Sequence, residues 1–386
     1  MFFSKRLSIW LHFRLIAKPL ILMGLFVLSL ILAISNSNTT VAAQTSVVAL
    51  QNLAATQISL LSEPKNSAIY VVNADGSNLS QLTNDPAFDD QPTWSPNGQR
   101  IAFISQREGN REVYQMNADG SNPTNLTKNP ADDYGLVWSP DGRQIAFLSS
   151  RSGRTEIYVM DADGKNLINL TRGRAEAGGS PTWSPNSKQI AFGTGMQIFT
   201  VNADGSNFTD LKPEAGIRWS YPIWSPDGKR MVFTTSAGAE TYIFVMDANG
   251  SNVINLSYGK SLTNQDHEPT WSPNGQQIAF ISSGKVHVVN ADGSNWTKLT
   301  DKLECRALSW SPDGKRIAFI SGNTDSSELY IGSELYLMDA NGSNLTKLTN
   351  LSTTGEFPMS LTWSPDGQQI AFSSQRTVKS AKPERR

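Results

Sequence analysis

The 386-residue sequence has a single cysteine, Cys305, so no disulfide can form within the chain, and no cysteine follows the N-terminal apolar run to accept a lipid. Free cysteine is among the most buried residue types, which predicts a buried and unreactive thiol here. Histidine is nearly as scarce: beyond the N-terminal leader only His267 and His287 occur, and two histidines cannot supply a three-histidine zinc site. G-x-S-x-G occurs nowhere. Gly259-Lys260-Ser261 fails as a phosphate loop because Ile254 stands where the earlier glycine is required. An excess of charge is missing too. The formal net charge is −1, and it falls to −5 once the four basic residues of segment 1–43 are removed. Nucleic acid would call for a basic face, so it is not expected as a partner.

Segment 1–43 carries Lys5, Arg6, Arg14 and Lys18 with no acid, then an apolar stretch from Pro19 to Ile34, then small and polar residues up to Val41-Ala42-Ala43. A basic flank, an apolar core and a small-residue end predict an export signal. The apolar run is long for a signal core and short of the roughly 20 residues that span a bilayer. Two outcomes stay open, cleavage near Ala43 and a retained anchor at 19–34. Either one places the rest of the protein in the periplasm or outside the cell. Residues 44–67 read as a linker, 68–375 as one domain, and 376–386 as a basic, disordered tail.

What the sequence has in abundance is one tripeptide. W-S-P occurs seven times, at Trp94, Trp138, Trp183, Trp224, Trp271, Trp310 and Trp363, with spacings of 44, 45, 41, 47, 39 and 53 residues. A fixed period of this size marks one supersecondary unit repeated. In the first copy, four short apolar or β-branched runs are separated by Asn-Gly or Asp-Gly turns, the strongest short-range hairpin signal. Each unit is therefore a four-stranded antiparallel meander, and seven such units predict an all-β, seven-bladed β-propeller. The first recognisable strands, near Ala68 and Leu79, are the third and fourth of a unit. The last two, near Leu361 and Gln369, are the first and second. The half-units at the two ends are expected to pair and close the ring.

The repeat residues have mostly structural readings. A buried tryptophan ring removes roughly 150 to 250 Å² from water, so the seven W-S-P tryptophans are assigned to the core. Turns such as Asp161-Ala162-Asp163-Gly164 resemble part of a calcium loop but lack its later bidentate glutamate. A tight turn with glycine at positive φ explains them without metal. Neither a metal nor a cofactor is expected.

The string P-x-W-S-P-[DN]-G-x-x-I-A-F, followed by I-Y-x-M-[DN]-A-[DN]-G-S-N and L-T, resembles the repeats of the TolB family of periplasmic propellers. The resemblance covers residues 68–375. TolB has six blades and a separate N-terminal α/β domain, whereas seven blades are counted here and segment 44–67 leaves no room for that domain. The resemblance implies a protein-binding role at the cell envelope, with an envelope lipoprotein as one candidate partner.

Loops on one face of the array differ in every unit, and such loops over a rigid scaffold are where binding residues concentrate. Asp89, Asp90, Asp133, Tyr134, Asp266, His267 and Arg306, four or five residues before their tryptophans, are expected to ring the mouth of the central channel. Trp219, Tyr221, Glu268 and Phe357 lie in the same stretches, and tryptophan, tyrosine and arginine are the usual anchors of protein interfaces. The competing structural reading has the aspartates bonded to neighbouring backbone amides and Trp219 packed under its loop. The expectation is a monomeric, non-enzymatic scaffold that binds a protein or peptide at this mouth and meets the membrane only through its N-terminal segment. The alternative is a calcium- or carbohydrate-binding propeller, with glycan-directed hydrolase or lyase activity from a carboxylate cluster of Asp89, Asp90, Asp132, Asp133, Asp266 and Glu268.

Overall fold

The computed structural model describes residues 66–211, 218–237, 240–257, 259, 265–322 and 332–376. The expected leader at 1–43, most of the linker at 44–67, the tail beyond 376 and most of the insert between Gly322 and Glu334 lie outside the described residues. Among the described residues no helix is long and apolar enough to cross a membrane.

The strands form seven four-stranded antiparallel sheets. Blades 1 to 6 occupy residues 89–125, 133–169, 182–210, 218–255, 266–298 and 304–347 in chain order. Blade 7 is composite. The C-terminal strands Glu356–Trp363 and Gln369–Arg376 supply its inner half, and Ser67–Asn73 and Ser80–Gln81 its outer half. Seven residue pairs join the halves, from Ser67↔Gln375 to Asn73↔Gln369. The expected closure between the chain ends is therefore present, with the two joined strands running from Ser67 at one end and to Arg376 at the other.

Each blade is held by the residues that define the repeat. The second strand alternates Ile-Ala-Phe or a close variant, and in a propeller both sheet faces are covered by neighbouring blades. Phe103, Phe147, Phe192, Phe233, Phe280, Phe319 and Phe372 are accordingly fully buried. The seven W-S-P tryptophans are 5 to 8% exposed and fill the gaps between blades. Four of them also tie blades together, since the indole N–H of Trp138, Trp183, Trp271 and Trp363 donates to the carbonyl of Thr93, Val137, Ile223 and Ser309 in the preceding blade. The serine of W-S-P fastens the following turn. Ser95 Oγ donates to Asn97 Oδ1 and accepts from the Arg100 amide, and the same pair of bonds recurs down to Ser364, Asp366 and Gln369. Proline then sits in the turn where no amide is needed, and Gly98 takes a positive φ of 70°.

Cys305 is buried, as expected, and burial pushes its thiol above the ordinary range. His287 lies within the strand Lys285–Asn290, stacked on Phe280, and burial lowers its pKa.

Candidate functional site

The innermost strands of successive blades pack against one another around the ring, except that the inner strand of blade 5 lies against the second and third strands of blade 4. The innermost strand is not regular. In blades 1, 2, 4, 5, 6 and 7 its register slips by one residue just before the tryptophan. The residue three before the tryptophan takes a left-handed conformation in five of these blades: Gln91, Gly135, Tyr221, Glu268 and Ala307. Such a bulge leaves one residue unpaired and re-aims its side chain. Gln91, Tyr221 and Glu268 are exposed, and Gln91 Oε1 reaches the next blade to accept from the Gly135 amide. Sequence reasoning passed over this position as a set. The available signal was the proline that follows it at Pro92, Pro222 and Pro269, because proline in a strand marks an edge or a bulge.

The aspartates five residues before the tryptophan are not at the surface. Asp89, Asp133 and Asp266 are each 0% exposed, so none offers a solvent-exposed carboxylate, although Asp266 borders the cavity described below. Asp89 receives the Arg107 guanidinium at 3.2 Å and Asp133 that of Arg151 at 2.9 Å. Burial raises both carboxyls, and the arginines and nearby hydroxyls draw them part of the way back. Asp90 is also engaged, accepting from Ser360 Oγ and Ser373 Oγ of blade 7, so it acts as a clasp across the seam of the ring. Tyr134 is half-buried with its hydroxyl 3.2 Å from Thr155 Oγ1. Arg306 donates to Ser333 Oγ. Phe357 is half-buried opposite Gln375. Trp219 lies in the inner strand of blade 4 opposite Thr235, and its side chain is outside what the structure describes.

Four of the expected residues do come together. A cavity of about 640 Å³ lies where blades 4, 5 and 6 meet at the channel, lined by Tyr221, Ile223, Thr234, Thr241, Asp266, His267, Glu268, Pro269, Thr270 and Leu308. Its walls are apolar from Ile223, Pro269 and Leu308, and the Tyr221 ring stands 53% exposed at its edge. Its charged groups are Asp266, His267 and Glu268. Burial pushes the Asp266 carboxyl up, and neither of its oxygens has a hydrogen-bond partner of ordinary length, although the Ser257 and Ser282 hydroxyls lie nearby. Glu268 is open to the channel yet surrounded by protein, and desolvation raises its carboxyl against the pull of His267 and the Ala307 and Leu308 amides. The site can therefore bury apolar surface, stack against an aromatic ring and present two carboxyls in poorly solvated surroundings. Among the described residues no group of three or more histidine, cysteine, aspartate or glutamate side chains is placed to hold a metal ion.

A closed ring of seven four-stranded meanders defines the class as a seven-bladed β-propeller. The chain belongs to the family described as the TolB beta propeller domain, whose model matches residues 51–194 and 175–333. No curated protein matches the sequence. Among solved structures, a protein assigned as TolB from Agrobacterium tumefaciens superposes with a TM-score of 0.51 at 21% identity, over 81% of this chain and 99% of that one. An oligogalacturonate lyase from Vibrio parahaemolyticus gives 0.61 at 13% identity, over 81% and 98%. A puromycin-hydrolyzing peptidase from Mycobacterium tuberculosis gives 0.54 at 15% identity, over 71% and 48%. At these identities the likeness is one of fold. It nevertheless corrects the expectation that the protein is not an enzyme. The same fold carries a lyase and part of a peptidase, so the lack of G-x-S-x-G does not exclude catalysis.

Proposed function

We propose that the propeller is an exported envelope protein that binds a protein or peptide segment in the cavity shared by blades 4, 5 and 6. The single observation behind this reading is the cavity itself. It combines an exposed tyrosine, apolar walls and carboxyls on the inner strands of a closed scaffold, and binding pockets are typically concave, mostly apolar and fitted with a few polar groups. Tyrosine at a wet edge is a common interface anchor because it offers area at low entropic cost. Membership of the TolB beta propeller family supports a place in the cell envelope, as do the basic flank and apolar run of segment 1–43, which would serve as its export signal or anchor.

Site-specific photo-crosslinking in living cells tests this. A photoreactive phenylalanine derivative at Tyr221 should yield a discrete adduct with a cellular protein, and the same group at Lys165, on the opposite face, should not. Equal adducts from both positions, or none from Tyr221, would remove the cavity as the binding site.

A further inference from the structure

Three blades place an aspartate five residues before the core tryptophan, and all three side chains are fully buried. In blades 1 and 2 the chain supplies the counter-ion eighteen residues later. Arg107 reaches Asp89 and Arg151 reaches Asp133 from the turns 106–111 and 150–155. Each guanidinium also lies over the ring of the third strand, 4.5 Å from the Tyr114 centroid and 5.0 Å from that of Tyr158. Carboxylate and aromatic ring together form a small receptor for a planar cation, and in these two blades the protein fills it itself.

Blade 5 keeps the carboxylate but has no such arginine. The residue eighteen positions after Asp266 is Gly284, in the shorter turn 283–284, where Ser283 and Gly284 have φ of 50° and 70°. This is the positive-φ pair of a two-residue hairpin. The left-handed φ of 70° at Gly284 strains any residue with a Cβ there, so an arginine at this position is disfavoured by the turn itself. Lys285, the cation of that turn, is engaged by Glu304 and the Leu303 carbonyl. Asp266 is left with both oxygens lacking a partner of ordinary length, beside the cavity that also holds Tyr221 and Glu268. A buried carboxylate in this state is costly, and a doubly donating cation relieves the cost best because charge-assisted, bidentate bonds are the strong ones.

We propose that Asp266 receives a guanidinium or ammonium group carried by the segment that docks in this cavity, the ligand supplying what Arg107 and Arg151 supply elsewhere in the ring. This rests on the peptide-docking reading above and specifies the residue class that the segment must contain. Glu268 adds a second negative group to the same cavity, and the exposed Tyr221 ring offers a cation–π face.

The test is a positional-scanning hexapeptide library bound to the full chain and to Asp266→Asn, followed by titration of the best arginine-containing peptide against its citrulline counterpart, which has the same shape without the charge. Asparagine keeps the side-chain volume and removes an unpaired buried charge, so the variant is expected to fold, and its melting curve verifies this. The wild-type chain should select arginine or lysine at one position and bind the citrulline peptide at least tenfold more weakly. Asp266→Asn should lose that selection. Selection of apolar or acidic peptides with no basic position, or a basic preference that survives in Asp266→Asn, would overturn the assignment to Asp266 and leave the docking reading standing. If no peptide is selected by the wild-type chain, the docking reading itself fails.

Discussion

Trp224 and Trp271 occupy the same place in successive blades and differ in one hydrogen bond and one cation–π contact. Trp271 is 6% exposed, donates to the Ile223 carbonyl at 3.1 Å and carries the Arg230 guanidinium 5.2 Å from its ring. Trp224 is 8% exposed, and its indole N–H is buried with no acceptor. Replacing either by phenylalanine keeps one aromatic ring and loses comparable packing. At position 271 the change also removes a hydrogen bond worth about 1 kcal/mol and part of a cation–π contact of about 0.5 to 1 kcal/mol. At position 224 it deletes a donor whose unmade bond costs about 1 to 3 kcal/mol. Trp271→Phe should therefore be less stable than Trp224→Phe by about 2 to 5 kcal/mol. Urea unfolding followed by far-ultraviolet circular dichroism reads this as a lower midpoint at equal slope. Equal midpoints, or a Trp224→Phe variant that unfolds first, would refute the idea that the inter-blade bond separates the two positions.

Asp266→Asn should raise the melting temperature near pH 7, because the Ser257 and Ser282 hydroxyls and the two histidines offset the burial of this carboxyl only in part. Burial holds the folded Asp266 pKa above its unfolded value of about 3.9, so the penalty sets in as pH rises through that interval and is complete above it. With His267 and His287 as the titratable neighbours, the gap between variant and wild type should close toward pH 3, and a variant less stable at pH 7 would contradict the unpaired state. Arg151→Met strands the buried Asp133 carboxylate and should cost about 3 kcal/mol. That loss should shrink in acid, because the carboxyl, already raised by burial, then takes up a proton. Melting curves from pH 4 to 8 measure both effects, and a pH-independent loss in Arg151→Met would mean that packing rather than charge is lost.

The fold was legible because its cues are local and repeated. Asn-Gly and Asp-Gly fix the turns, the W-S-P serine fastens each of them, and the half-units at the ends announced the shared seventh blade. The cavity was legible only in part. Tyr221, His267 and Glu268 were found through residue type, whereas the left-handed bulge that exposes Tyr221 and Glu268 is a backbone feature marked in the sequence only by the prolines behind it. The burial of the three aspartates was not legible, because their fate depends on residues eighteen positions away. Whether Arg107, Arg151 or Gly284 stands there decides between an internal ion pair and an open acceptor, and no neighbouring residue records that choice.

The seam in blade 7 also governs when the molecule can form. Ser67 and Gln375, paired neighbours in the finished ring, are separated by nearly the whole described chain, and contacts of such long range are slow to form. Until Gln369–Arg376 has been made, the strand at Ser67–Asn73 waits with unpaired edges of the kind that invite mispairing between chains. The last strand to arrive thus acts as a latch, and formation of the ring depends on keeping its first strand unmated until then.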